Sequence, residues 1–231
     1  MIKISDLNFT YNKNENRIIL KNIDVEFKRN EISVITGLSG CGKSTLFRII
    51  SKEIISNDIN LLTGNIFING ENLNNIEKKE VFTKLAIVRQ DPDTQLIFPL
   101  VIDELAFGLE NLNIKKDEIL EKIDQISKEL SIEHLLFQNP RFLSGGEKQI
   151  VVLASVLLLG ANILLLDECM SQVDKKGRER IFQILKILKN EGKTIIMVEH
   201  NLKNLVIADK TFSLINGNLS YFKGYNNEEV S

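Results

Sequence analysis

The sequence predicts an α/β domain with a mostly parallel sheet, an antiparallel β patch and an α-helical insertion. Three observations carry that expectation. Short runs rich in Ile and Val alternate with segments of helical periodicity, as in sheets whose parallel strands are covered on both faces. The first thirty residues, with residues 63–70, instead show brief alternating segments such as Ile66-Phe67-Ile68-Asn69-Gly70, which suit antiparallel pairing. Between about residues 91 and 143 the β pattern stops and helical spacing takes over.

Taken in order, residues 31–36 read as the first buried strand, followed by a glycine-rich turn at 37–45 and a helical run at 46–50. Residues 84–88 form a second apolar strand. Ile119, Ile123, Ile126 and Leu130 mark one face of an amphipathic helix in the insertion. The run from 150 to 166 is almost wholly apolar and approaches a membrane span in length, but it falls short of about 20 residues. Gly160-Ala161-Asn162 divides it into a buried helix and a buried strand at 163–166. Ile181, Ile184, Leu185 and Leu188 give a further amphipathic helix with Gly192 as its terminator, and Thr194–Val198 is the last strand of the series. The 231 residues are expected to form a single domain, with about 1–90 and 150–231 as the core and about 91–149 as a helical subdomain.

Composition narrows the function classes. With 43% hydrophobic residues the chain can bury a core without metal or disulfide staples. A formal net charge of −2 and no basic stripe argue against a nucleic-acid partner. Cys41 and Cys169 lie far apart without metal-knuckle spacing, which fits a reducing compartment. The opening Met1-Ile2-Lys3-Ile4-Ser5-Asp6 is broken by an acid, so no secretory leader is expected.

The chemistry sits in three motifs. Gly37-Leu38-Ser39-Gly40-Cys41-Gly42-Lys43-Ser44-Thr45 follows a strand and opens a helix. Its glycines allow a turn whose N–H groups point inward as an anion nest, reinforced by the positive end of the helix. Lys43 would reach β- and γ-phosphates and the Ser44 hydroxyl would bind Mg²⁺. The spacing arises by chance in roughly one chain of this length in a hundred, so a plain surface turn is the competing reading. Asp167 and Glu168 follow the buried strand 163–166, where ligands gather in open α/β sheets. Asp167 is assigned to Mg²⁺ and Glu168 to the general base; a solvated strand end is the alternative. In Leu143-Ser144-Gly145-Gly146-Glu147-Lys148-Gln149, Ser144 and Glu147 have capping-box spacing, while Gly145 and Gly146 leave a helix end open to an anion.

The segment LSGGEKQ at 143–149 resembles the signature motif of ATP-binding-cassette (ABC) ATPases, and the order of motifs from Tyr11 to His200 matches that family over nearly the whole chain. The resemblance implies a P-loop NTPase (RecA-like) core, the ABC ATPase fold, that hydrolyses ATP with Mg²⁺. It implies a head-to-tail dimer with a second ABC ATPase subunit, in which Ser144, Gly145, Gly146 and Gln149 of one subunit meet the nucleotide held by Lys43 of the other. Gln90 corresponds to the glutamine that reaches Mg²⁺ and whose loop touches a membrane partner. Tyr11 corresponds to the aromatic residue that stacks on adenine, with strand packing as the alternative. His200 corresponds to the histidine that contacts the γ-phosphate, and His134 is read as structural. Ser171-Gln172-Val173-Asp174 resembles the loop that crosses the dimer interface. Cys169 stands where Pro is frequent and Val173 where Leu is usual, and neither departure removes a catalytic group. Cys41 is a small-residue variant of the phosphate loop whose backbone N–H is what matters.

Gln90-Asp91-Pro92-Asp93-Thr94-Gln95-Leu96-Ile97-Phe98 and the following Asp103-Glu104-Leu105-Ala106-Phe107-Gly108-Leu109-Glu110-Asn111 resemble energy-coupling factor (ECF) and cobalt-type importer ATPases. Those subunits sit peripherally on the cytoplasmic face of a membrane, without a span of their own, and drive a transmembrane coupling protein that takes up vitamins or metal ions. The C-terminal extension that holds many members together is not matched, which weakens the expectation of a permanent homodimer. Three rivals remain at this point: an exporter or lipoprotein-release cassette, a soluble mechanical ABC protein acting on DNA or ribosomes, and a P-loop kinase. The last leaves residues 143–149 unexplained.

Overall fold

A computed structural model describes residues 1–12, 18–55, 61–171 and 173–222. Two compact units are present, residues 1–81 with 189–231, and residues 82–188.

In the first unit, β1 (Ile2–Thr10) pairs antiparallel with β2 (Leu20–Phe27) on one side and β4 (Leu61–Ile68) on the other. The short β5 (Glu71–Asn72) closes this sheet in the order β2-β1-β4-β5. Along β1 the buried apolar residues are Ile2 and Ile4, then Leu7 and Phe9, so the two-residue alternation slips by one. The register breaks between Ile4 and Leu7, where Asp6 has φ of 49°, and the bulge returns the apolar side chains to the covered face.

The same unit holds β3 (Ile32–Thr36), flanked in parallel by β8 (Thr194–Val198) and β9 (Lys210–Ile215). Every residue of β8 and the first four of β3 are buried, as expected of strands covered on both faces. β10 (Asn218–Phe222) folds back on β9 through Asn216-Gly217, both at positive φ, the two-residue turn that suits strand twist. From the end of β3 the chain enters the glycine-rich loop and then α1 (Lys43–Ile50), which buries Leu46, Phe47, Ile49 and Ile50. A further short helix, α2 (Lys78–Lys84), buries Val81.

In the second unit, β6 (Leu85–Val88) and β7 (Ile163–Asp167) pair in parallel, with Leu85 opposite Ile163 and Val88 opposite Leu166. The remainder is helical: α3 (Val101–Asn111), α4 (Lys116–Glu129), α5 (Gly145–Leu158) and α6 (Lys175–Asn190). α4 buries Ile119, Ile123 and Ser127 and carries Lys122–Glu118 and Lys128–Asp124 ion pairs on its outer face. α5 buries an unbroken stretch, Gln149 to Ala154, and ends before Gly160 at φ of 81°. Arg180 of α6 donates to the carbonyls of Leu130 and Ser131 at 2.7 and 2.8 Å, closing the open C-terminal end of α4. α6 is followed by Gly192 at φ of 96°, whose N–H reaches the Lys189 carbonyl. Among the described residues, no helix is long and apolar enough to cross a membrane.

Candidate nucleotide site

In the first unit, the end of β3 delivers the loop 37–45 to the start of α1. Gly42 is the N-cap at φ of 111°, a conformation that a side chain resists, and a Cβ there would meet Ile19 and Leu20. No side chain caps α1, and the positive end of a helix attracts an anion. Lys43 is 4% exposed and turned back into the loop. Its Nζ donates to the carbonyls of Gly37 at 2.8 Å and Leu38 at 3.0 Å and lies 3.8 Å from Cys41 Sγ. This arrangement fits a nucleotide phosphate chain: the start of a helix without a side-chain cap beside an ammonium already stripped of most of its water.

Two side chains flank that loop. His200, exposed just past β8, places Nδ1 3.1 Å from the Gly37 carbonyl. A carbonyl only accepts, so Nδ1 carries the proton, and in the neutral ring Nε2 is the accepting nitrogen. Tyr11, 42% exposed, packs edge-on against Phe9 with centroids 4.8 Å apart, and its hydroxyl lies 2.9 Å from Thr45 Oγ1. The ring is therefore in T-shaped contact on one side and still partly exposed beside α1. Leu38, Ser39 and Gly40 form the exposed tip of the loop.

In the second unit, β7 ends at Asp167 and the chain turns at Glu168, which has φ of 50°. A non-glycine residue in the left-handed region costs free energy, and such strain concentrates at functional sites. Gln90 is exposed beyond β6. Ser144 caps α5 through a reciprocal box: its N–H and hydroxyl donate to Glu147 Oε2 at 2.9 and 2.7 Å, and Glu147 N–H donates to Ser144 Oγ at 3.3 Å. The Ser144 hydroxyl bond and then its backbone bond hold the Glu147 carboxyl below its ordinary pKa. Asp174 accepts from the Gly177 N–H at 2.8 Å, the bond of an N-cap at the start of α6. Gly146 and Gly177 bring the starts of α5 and α6 together, a Cβ on either glycine falling within 3.4 Å of the other's Cα. Gln149 is buried and bonded to its own chain, donating from Nε2 to the carbonyls of Arg89 and Gln90. Gln172 lies outside the described residues.

A family model described as ABC transporter matches residues 20–171. The chain belongs to the ABC transporter family. As an ABC ATPase it is an ATP-hydrolysing enzyme with an ATP-binding, P-loop core. It is 36% identical over 220 residues to the energy-coupling factor transporter ATP-binding protein EcfA1 of Mesomycoplasma hyopneumoniae, covering 95% of this chain and 79% of that protein. The Bacillus subtilis EcfA1 protein is 34% identical over 225 residues, covering 97% and 78%. Among solved structures, cbiO1 of Clostridium perfringens, described as part of the ABC transporter complex cbiONQ, superposes with a TM-score of 0.84 at 31% identity, covering 95% of this ABC ATPase and 86% of that chain.

Sequence reasoning passed over two buried acids. Glu104 of α3 accepts at Oε2 from the Ile97 and Phe98 N–H groups at 2.8 and 3.0 Å, bracing the segment after Gln90. Its signal was an acid on the otherwise apolar face of a helix's first turns. Glu199 precedes His200 and accepts from Asn204 Nδ2 at 3.1 Å, fixing the short turn 202–207. That pair is five residues apart and carries no periodic signature.

Proposed function

We propose that this ABC ATPase is the nucleotide-binding subunit of an ECF-type importer of a vitamin or metal ion, working at the cytoplasmic face of the membrane through a transmembrane coupling protein. The observation that carries this reading is similarity over almost the whole chain to ECF ATP-binding proteins, together with the residue 90–111 pattern. Lys43 and the loop N–H groups bind the ATP phosphates, and Tyr11 packs on the adenine. Ser44, Gln90 and Asp167 supply the hard oxygen donors that Mg²⁺ prefers, and the ion would neutralise charge on the phosphate oxygens. Among the described residues no cluster of three or more His, Cys, Asp or Glu could hold a metal by itself. Glu168 accepts the proton of the attacking water, and His200 contacts the γ-phosphate. The start of α5, with Ser144, Gly145 and Gly146, presents the second anion-seeking helix end to the nucleotide of a paired subunit, and Asp174 stands on the loop between them.

Affinity capture of the tagged chain from detergent-solubilised membranes tests the reading. Recovery of a polytopic membrane protein and a second ABC subunit is the expected result. Capture of ribosomes or DNA without a membrane protein would replace it with the soluble mechanical alternative.

A further inference from the structure

We propose that Lys148 and Gln149 are positioning residues that tie the Gln90 loop to the helix carrying Ser144 and Gly146, so that the two move as one body within a single chain. This rests on the functional reading above, in which Gln90 serves one nucleotide and the start of α5 serves another.

The tie has two strands. Gln149 is 3% exposed, and its Nε2 donates to the Arg89 and Gln90 carbonyls, both at 3.3 Å. Only the amide nitrogen can face two carbonyls, so the side chain is held in one orientation. Beside it, Lys148 Nζ meets Asp93 Oδ1 at 2.7 Å, with the lysine side chain mostly covered and the aspartate outward. The loop is itself braced, because force passes through it only if it is stiff. Gln95 accepts at Oε1 from the Arg89 N–H and donates from Nε2 to the Ile87 carbonyl, and Asp91 caps the turn Pro92–Thr94 through the Asp93 N–H. On the other side, Lys148 and Gln149 lie about one helical turn beyond Ser144, a rigid span of roughly 6–8 Å.

Among the described residues Gln149 Oε1 is buried with no hydrogen-bond partner, so the amide is held through its nitrogen alone. Displacement of the Gln90 loop by a membrane partner would thereby shift the start of α5, and binding at the start of α5 would be felt at the loop.

The test is a charge exchange across the ion pair in the full chain, purified with its membrane complex and probed with Mg-ATP. Asp93→Lys and Lys148→Asp each leave ATP affinity within about twofold of wild type and lower kcat by about three- to tenfold, with KM little changed. The double exchange, Asp93→Lys with Lys148→Asp, recovers most of that kcat. Single variants with wild-type kcat, or a double variant no better than the singles, overturn the proposal. Asp93 is outward-facing, so Asp93→Lys alone carries the test if Lys148→Asp fails to fold; its kcat must fall without loss of ATP affinity. Glu168→Gln in the otherwise native chain is the separate control: if it retains wild-type turnover, the underlying catalytic reading fails whatever the exchange shows.

Discussion

Lys43 and His200 converge on one oxygen. The Gly37 carbonyl accepts from Lys43 Nζ at 2.8 Å and from His200 Nδ1 at 3.1 Å, so the ammonium and the imidazole are aligned by the same backbone group. The consequence for His200 is a fixed tautomer, with Nε2 turned to the accepting role. His200→Ala removes both the alignment and the ring. It should lower kcat by about 10²-fold while leaving ATP binding nearly intact, measured as single-turnover hydrolysis against equilibrium binding.

Glu168→Gln keeps size and hydrogen-bonding capacity and removes the basic oxygen. ATP binding should persist while turnover falls by about 10²–10⁴-fold, the usual worth of a positioned base. Hydrolysis at the wild-type rate would remove Glu168 from that role.

The capping box at Ser144 and Glu147 gives a stability prediction with a sign. The folded-state carboxyl of Glu147 titrates below its ordinary value, so its stabilisation is present above the ordinary glutamate range and is lost as pH falls through the lowered folded-state pKa. Wild type should therefore exceed Glu147→Gln in urea midpoint at about pH 6, with the gap shrinking as the pH falls below the ordinary glutamate range. Ser144→Ala, which loses the cap, should cost about 1 kcal/mol at neutral pH.

Gly177→Ala tests the contact between the starts of α5 and α6. The added Cβ would lie 2.7 Å from Val173 Cγ1, 2.8 Å from Asp174 Oδ1 and 3.4 Å from Gly146 Cα. Overpacking of this kind costs about 1–3 kcal/mol. Thermal unfolding reads that loss directly, and the added Val173→Ala should return part of it by opening space on one side.

Much of the frame was legible before any coordinate. The strands Thr194–Val198 and 163–166 announce themselves as nearly unbroken apolar runs, and the glycine-rich loop by spacing that chance seldom produces. β9 and β10 were passed over although Asn216-Gly217 is a strong hairpin signal, because β10 is mostly exposed and its alternation is weak. Tyr11 was read as either stacking or packing, and the structure shows a T-shaped contact with Phe9 in a residue that stays partly exposed. Gln149 illustrates the opposite difficulty. It is a polar residue in the first turns of a helix, and only the phase of α5, which buries it together with Ile150 to Ala154, turns it inward onto the Gln90 loop.

The left-handed backbone at Glu168 has a consequence for how the enzyme wears out. A residue in this region keeps its conformation where the structure around it holds it, and Glu168 follows directly on β7, which pairs with β6 from Ile163 to Leu166. Loosening that strand, as by Leu165→Ala, lets residue 168 relax before the rest of the unit melts. On heating, such a variant should go silent as an ATPase several degrees ahead of its unfolding transition, so that lost turnover becomes the first symptom of a weakened sheet.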